Sequence, residues 1–291
     1  MSVLYAVLLG IIQGITEFLP VSSFGHLSIV QNMLGVERDA GILFETMLHL
    51  GTLAAVVLTF RKELRHILLE LLGMFMDIIG NINLYIHNKK TGDSLRYAKI
   101  VHGTYRKLAA LLVVSSVPTA ILGYTARRLV IRASISPLVP GIGLLLTGIL
   151  LLVIDFSKSG GDKAPREAGY DSAMWVGICQ GLSVFPGLSR SGLTISAALL
   201  CGYSRKFAVK FSYIVSIPAI IGAFFSQVGE FAAPTMSVGL GFTYVLGMIV
   251  AGAAGYFTIR FLLKLVQTKK FRYFAYYCFL AGILGLAWNF M

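Results

Sequence analysis

Two stretches rich in Ser and Gly carry polar and ionisable side chains within an otherwise apolar chain of 291 residues. The first stretch runs from Gln13 to His26 and the second from Pro186 to Thr194. Gln13 and Glu17 are four residues apart and therefore share one face of a helix. If these stretches enter a bilayer, each ionisable side chain costs roughly 2.5–3.5 kcal/mol on insertion scales, which favours a functional site over chance placement.

The second stretch has the composition of a phosphate site. Arg190 stands between two serines, directly after a Pro-Gly break. Helix N-terminal N–H groups and hydroxyls donate hydrogen bonds to phosphate, and a guanidinium adds bidentate charge. The predicted phosphate ligands are Ser22, Ser189, Ser191 and Thr194. A single Ser or Thr in a membrane usually bonds the backbone of its own helix, and for Ser189 or Thr194 alone that alternative is favoured.

Simpler explanations compete for the remaining polar residues. A lone histidine such as His26 is more often a solvated residue at the membrane interface, and Glu17 could pair with Arg190 for structural reasons only. Glu45 and His49 are four residues apart on the next apolar stretch. They either line the same cavity or hydrogen-bond between helices, and the sequence favours neither alternative.

The composition of the whole chain is that of an integral membrane protein. Hydrophobic residues make up 56% and charged residues 13%, with a mean hydropathy of +0.79, whereas soluble domains carry about a quarter charged residues. The net charge of +12 does not indicate nucleic-acid binding, because the basic residues lie in short links between apolar stretches. The three cysteines lie in apolar runs, which excludes a disulfide framework or a thiolate metal site.

Six stretches have about the 20 apolar residues that a spanning helix needs. They are residues 42–60, 108–126, 138–154, 207–228, 240–258 and 272–290. Residues 3–34 and 174–203 are instead divided by Pro20 and by Pro186-Gly187 into pieces too short to span, which predicts two re-entrant helical hairpins. Residues 64–86 mix ionisable and apolar side chains and are predicted to form an amphipathic helix on the membrane surface. The first segment lacks a basic n-region, so no cleaved signal peptide is expected.

The distribution of Lys and Arg predicts the orientation. If both hairpins return to the side they entered from, the links on one side carry 20 basic residues and those on the other side carry four. The first side is therefore assigned to the cytoplasm, and both termini face outward. The chain reads as one polytopic domain over 1–291, with a first repeat element at 1–60, a cytoplasmic basic and amphipathic segment at 61–107 and a second repeat element at 174–228.

The two broken stretches resemble each other at an offset of 167 residues. Seven positions are identical, including Gln13 with Gln180, Phe18 with Phe185 and Gly25 with Gly192. Three spans separate the copies, and an odd number makes the second hairpin enter from the opposite face. The fold class is therefore an all-α membrane protein with six transmembrane helices and two re-entrant hairpins in an inverted-topology repeat.

These motifs resemble the undecaprenyl-diphosphate phosphatase family, also called bacitracin-resistance proteins. The resemblance is carried by Gln13 and by Glu17-Phe-Leu-Pro-Val-Ser22-Ser23-x-Gly-His26 in the first stretch, and by Pro186-Gly-x-Ser189-Arg190-Ser191-Gly-x-Thr194 in the second. The pieces 44–51 and 207–218 also resemble the family, and the similarity covers nearly the whole chain. The family pattern allows Glu or Gln at position 13, and position 24 is usually small and polar, where this chain has Phe.

The resemblance implies a hydrolase of the cell membrane that converts a polyprenyl diphosphate to the monophosphate and recycles the lipid carrier of cell-wall glycans. It also implies a divalent cation, Mg or Ca, with Glu17 as a candidate ligand. The expected catalytic residues are Glu17, Ser23, His26 and Arg190, with Gln13, Glu45 and His49 as candidate supporting residues. The site is expected to open to the outer side, and the partners are the lipid substrate and membrane lipids.

Ser23 would attack the terminal phosphorus or position a water, and His26 would act as base or acid because its unperturbed pKa lies near neutrality. The alternative function is an inverted-repeat transporter or lipid flippase. Gly247, Gly252 and Gly255 allow close helix packing within one subunit or between subunits, so a homodimer stays open.

Overall fold

The computed structural model describes residues 2–34, 41–157, 160–228, 238–268 and 270–288. Within these ranges every regular element is a helix, which confirms the predicted all-α class. The helices are α1 (Val3–Thr16), α2 (Ser23–Met33), α3 (Gly41–Thr59), α4 (Arg61–Thr91), α5 (Gly103–Ile135), α6 (Leu138–Phe156), α7 (Tyr170–Leu182), α8 (Arg190–Leu200), α9 (Arg205–Val228), α10 (Val238–Thr268) and α11 (Arg272–Trp288). Positions 289 and 290 of the sixth predicted span, and Arg38, Lys158 and Lys269 of the charge count, lie outside the described residues.

Five helices in the described ranges are long and apolar enough to cross a membrane. Four of them contain predicted spans, namely α5, α6, α9 and α10. The stretches predicted at 42–60 and 272–290 form the shorter helices α3 and α11, of 19 and 17 residues.

The fifth helix of sufficient length is α4, which covers the stretch predicted to lie on the membrane surface. It is one continuous helix of 31 residues, with only 6% of its most apolar window buried. Two of its carboxylates, Glu70 and Asp77, lie seven residues apart and both accept hydrogen bonds from Arg106 of α5. By length and composition alone the helix is apolar enough to span, which the surface assignment did not anticipate.

Each predicted hairpin is a helix, a break and a second helix. The four helices contain 14, 11, 13 and 11 residues, so the longest extends about 21 Å at 1.5 Å per residue. The hydrocarbon core of a bilayer is about 30 Å thick, and each helix is therefore too short to cross it. At the second break Gly187 has a φ of +86° and lies against α6, where a β-carbon would come 2.3 Å from the carbonyl oxygen of Pro140.

The two hairpins occupy equivalent places in the fold. The first helix of one hairpin, α1, packs along α10, and the first helix of the other, α7, packs along α5. The hairpins contact each other at their breaks, where Ser191 Oγ donates to the carbonyl of Leu19 at 2.8 Å. Tyr213 of the following helix, α9, also donates its Oη to the carbonyl of Phe18 at 3.0 Å. The predicted meeting of the two breaks is therefore present.

Glycines let α10 approach its neighbours within the chain. A β-carbon at Gly247 would lie 2.6 Å from Phe44, and one at Gly255 would lie 2.7 Å from Phe18. Gly252 faces Gly51 of α3. A β-carbon at Gly51 would come 2.1 Å from the carbonyl oxygen of Met248. Of the two uses expected for these glycines, packing within one subunit is observed.

We expect Gly51→Ala to lower the midpoint of thermal unfolding, because the added carbon would overlap backbone rather than a flexible side chain. Overpacking of this kind costs about 1–3 kcal/mol. The matched control is Gly123→Ala in α5, where no atom lies within 4 Å of the added carbon. That substitution should be neutral or stabilising, since Ala favours a helix over Gly. Equal unfolding midpoints for the two variants in detergent would contradict the packing argument.

Candidate active site

Glu17 lies at the centre of the polar cluster, at the C-terminal end of α1. Its side chain is buried, with 6% exposed. Oε2 accepts hydrogen bonds from Gln13 Nε2 at 3.0 Å and from Ser23 Oγ at 2.6 Å, and Oε1 accepts one from Arg190 Nη2 at 2.9 Å. The carboxylate thus joins both sides of its own break to the first residue of α8.

Arg190 brings the opposite hairpin into the cluster. Its side chain is 14% exposed, and its second terminal nitrogen, Nη1, donates to the carbonyl of Ser212 on α9 at 3.3 Å. Both side chains of this ion pair are largely buried. Removing either partner would therefore leave an uncompensated buried charge and destabilise the fold. The expected encounter of the carboxylate and the guanidinium is therefore present, between residues 173 positions apart.

The imidazole beside Glu17 belongs to His49 of α3. Its Nδ1 lies 3.0 Å from Gln13 Nε2 and 3.6 Å from Glu17 Oε2, and the side chain is 37% exposed. Of the two alternatives left open for this histidine, the hydrogen bond between helices is observed, since it joins α3 to α1 beside the carboxylate. Glu45 lies one turn earlier on α3 and is half-buried.

The described contacts of His26 are with the turn at the start of its own helix and with α11. Nδ1 lies 2.7 Å from the carbonyl oxygen of Ser22, and Nε2 lies 2.8 Å from Tyr277 Oη. The ring also stacks on Tyr277, with centroids 5.4 Å apart. The imidazole folds back over the first turn of its own helix, so α11 rather than Glu17 holds it.

The four predicted phosphate ligands use their hydroxyls to hold the breaks. Ser22 and Ser189 cap α2 and α8, accepting hydrogen bonds from the backbone N–H groups three residues later. Ser191 donates to Leu19 across the break, and Thr194 donates to the carbonyl of Arg190. All four are at most 3% exposed. The backbone-bonded alternative is therefore the arrangement observed for both Ser189 and Thr194.

Three residues of the site were not singled out from the sequence. Ser212 accepts from Arg190 and pairs with Thr194, Tyr277 positions His26, and Thr147 accepts from the backbone N–H of Ser189 at 3.1 Å. Ser212 lies within the stretch 207–218 that carries the family resemblance, so a signal for it existed. Tyr277 is one of several tyrosines in α11, and nothing in its sequence neighbourhood distinguishes it.

One buried polar atom in the cluster has no hydrogen-bond partner in the structure, the amide oxygen Oε1 of Gln13. This oxygen and the Glu17 carboxylate are the oxygen ligands that the two side chains could offer a cation, while the amide nitrogen of Gln13 is the atom that contacts Glu17. No group of three or more His, Cys, Asp or Glu residues that could hold a metal occurs among the described residues. A hard cation such as Mg²⁺ is commonly held by one or two protein oxygens together with substrate phosphates, and this donor set fits that pattern.

The arrangement can perform phosphoryl chemistry. The Ser23 hydroxyl donates to a buried carboxylate, which is the contact that prepares a hydroxyl or a water for attack. The guanidinium on the other side of that carboxylate can neutralise phosphate charge. Ser23 and His49 are partly exposed, so a ligand can approach the buried pair from their side.

Known proteins are similar to this chain over nearly its whole length. The family described as bacitracin resistance protein BacA matches residues 6–284. A protein named undecaprenyl-diphosphatase from Desulfosudis oleivorans is 41% identical over 97% of each chain. Proteins of the same name from Alkaliphilus metalliredigens and Methanosphaera stadtmanae are 36% and 34% identical, over 99% and 98% of each chain.

Proposed function

Because this chain belongs to the family of bacitracin resistance protein BacA, we propose that it hydrolyses undecaprenyl diphosphate to the monophosphate and inorganic phosphate. The relatives' names supply the substrate, and the activity recycles the lipid carrier for cell-wall glycan synthesis. The structural observation that carries the proposal is the buried Glu17–Arg190 pair, 2.9 Å long, with the Ser23 hydroxyl on the same carboxylate.

We propose that six helices cross the cell membrane and that the hairpins enter from opposite sides. The short lengths of α1, α2, α7 and α8 support re-entrance, and the equivalent packing of α1 on α10 and of α7 on α5 supports the repeat. If α4 also crossed, the hairpins would enter from the same side. The contacts of the two breaks, Glu17 with Arg190 and Leu19 with Ser191, support entry from opposite sides. We therefore propose that α4 lies on the cytoplasmic surface of the membrane and that the active site opens to the outer side.

Each residue of the site has a proposed role in the hydrolysis. Arg190 binds the terminal phosphate, while Ser22, Ser189, Ser191 and Thr194 hold the breaks that position it. Ser23 attacks the terminal phosphorus and forms a phosphoserine that water then hydrolyses to inorganic phosphate, or Ser23 positions a water that attacks directly. In either case Glu17 accepts the proton of the attacking hydroxyl or water. His26 donates a proton to the leaving monophosphate, and Tyr277 and the carbonyl of Ser22 orient its ring. His49 and Gln13 hold the Glu17 carboxylate.

A divalent cation, Mg²⁺ or Ca²⁺, is part of the proposal. Glu17 and the unpartnered amide oxygen of Gln13 would hold it, with the remaining positions taken by diphosphate oxygens and water. The cation would neutralise negative charge on the diphosphate. A single protein carboxylate makes the site weak without substrate, so the ion is expected to bind together with the diphosphate.

The transporter or flippase alternative shares the inverted-repeat architecture. None of the comparisons favours it, since the relatives are named as diphosphatases. A transporter also needs two compartments to show activity, whereas a hydrolase releases phosphate in a single solution. This difference gives a direct test.

The test measures inorganic phosphate released from undecaprenyl diphosphate by the purified protein in detergent. We expect release that depends on added Mg²⁺ or Ca²⁺ and stops when a chelator is added in excess. A preparation carrying Glu167→Gln, a surface carboxylate outside the site, serves as the matched control and should behave as the unmodified protein. Binding of the lipid without phosphate release at any cation concentration would contradict the proposal.

A further inference from the structure

A groove with a volume of about 770 Å³ lies between α3 and α10, outside the candidate active site. Gly51 and Gly252 bring the two helix backbones together at its base. Its walls include Leu58, Ile249 and Phe257, which are 60%, 59% and 70% exposed. The groove is therefore an apolar trough open along its length.

One end of the trough is basic. Arg61 and Lys62 from the start of α4 line it together with Arg260 of α10. The Arg260 guanidinium lies over the ring of Tyr256, 4.5 Å from its centroid, which holds this cation at the groove. The carboxylate at this end, Glu63, accepts a 2.6 Å hydrogen bond from Lys210. Within the described residues no salt bridge neutralises the three groove cations.

The dimensions match one leaflet of a bilayer. Residues 50–59 of α3 line one wall and correspond to about 14 Å of helix at 1.5 Å per residue, and the start of α4 follows at the basic end. Half of the hydrocarbon core is about 15 Å, so the trough extends from the headgroup level to near the midplane. An occupant must therefore be an amphiphile with an apolar chain about one leaflet long and an anionic head.

We infer that this groove binds one anionic phospholipid of the cytoplasmic leaflet, with its phosphate on Arg61, Lys62 and Arg260 and an acyl chain between α3 and α10. The inference rests on the membrane orientation proposed above, which places these three residues on the cytoplasmic side. Anionic lipids are enriched in that leaflet, and basic pockets between transmembrane helices bind their headgroups. The proposed catalytic site opens to the other side, so a phospholipid suits the groove better than the reaction's own lipid.

The experiment measures lipid retained by the detergent-purified protein in native mass spectrometry, with phosphatidylglycerol or phosphatidylcholine added. We expect one phosphatidylglycerol to be retained in preference to phosphatidylcholine. The triple variant Arg61→Gln, Lys62→Gln, Arg260→Gln should bind phosphatidylglycerol at least about tenfold more weakly, because it removes all three charge-assisted contacts to the phosphate. The control variant Lys89→Gln, Lys90→Gln, Arg96→Gln removes equal charge elsewhere on the proposed cytoplasmic side and should bind as the unmodified protein.

A second variant tests the apolar part without changing charge. Ala54→Trp places a large side chain in the groove and should also prevent retention of phosphatidylglycerol. Equal retention of the two lipids, unchanged retention in either groove variant, or preferential retention of undecaprenyl phosphate would overturn the inference. Phosphate release is measured on the same preparations and should be unchanged in the Ala54→Trp variant. If the proposed hydrolysis is wrong, the unmodified protein will release no phosphate, whether or not it retains phosphatidylglycerol.

Discussion

Replacing Arg190 by lysine is expected to lower the rate of phosphate release by about 10²–10³-fold, the range found when one preorganised donor to a transition state is removed. The guanidinium contacts Glu17 with one terminal nitrogen and the carbonyl of Ser212 with the other. Lysine carries a single compact ammonium group, so it cannot make both contacts and also bind phosphate bidentately. Steady-state release of inorganic phosphate at saturating cation measures the effect.

The matched control is Arg128→Lys in α5, because Arg128 is exposed and lies outside the site. This variant should release phosphate at the unmodified rate. Lysine keeps the positive charge at position 190, so the unfolding midpoint should stay close to that of the unmodified protein although the rate of phosphate release falls. Near-normal turnover of Arg190→Lys would show that charge alone suffices there, and the proposed bidentate role would be wrong.

Replacing Glu17 by glutamine is expected to have the second large effect, a loss of about 10²–10⁴-fold in phosphate release. The change keeps the size of the side chain but removes the charge that accepts a proton and holds the cation. It also leaves the Arg190 guanidinium, 14% exposed, without a counter-charge. Breaking such a buried pair costs about 3–5 kcal/mol, so the unfolding midpoint should fall as well.

A double variant separates these two consequences. Adding Arg190→Met to Glu17→Gln removes the uncompensated cation and should restore part of the lost stability, while phosphate release stays low. The control is Glu63→Gln, which breaks the partly exposed pair with Lys210 and should cost less than about 1 kcal/mol with activity retained. Full activity of Glu17→Gln would refute the assigned role of this carboxylate.

Much of the fold follows from local sequence. Proline and glycine break residues 3–34 and 174–203 into helices too short to span, and the offset of 167 relates the two. Long apolar runs account for α5, α6, α9 and α10. By length and composition α4 could also span, and its placement on the surface stays a prediction. The hydrogen bonds of Glu70 and Asp77 with Arg106, from a different helix, could not be predicted from local sequence.

The types of residue in the site were also predictable, because ionisable side chains are rare in apolar sequence and Glu17 and Arg190 were conspicuous. Their partners were not. Gln13 and His49 are 36 positions apart and His26 and Tyr277 are 251 apart, and no local pattern encodes either contact. Short-range periodicity specifies which face of a helix a side chain occupies, but the packing of α3 and α11 against the hairpins sets which imidazole meets the carboxylate. Local sequence thus determined the reactive residue types and the positions at which the helices break. Long-range packing determined that His49 lies beside Glu17 and that His26 contacts Tyr277.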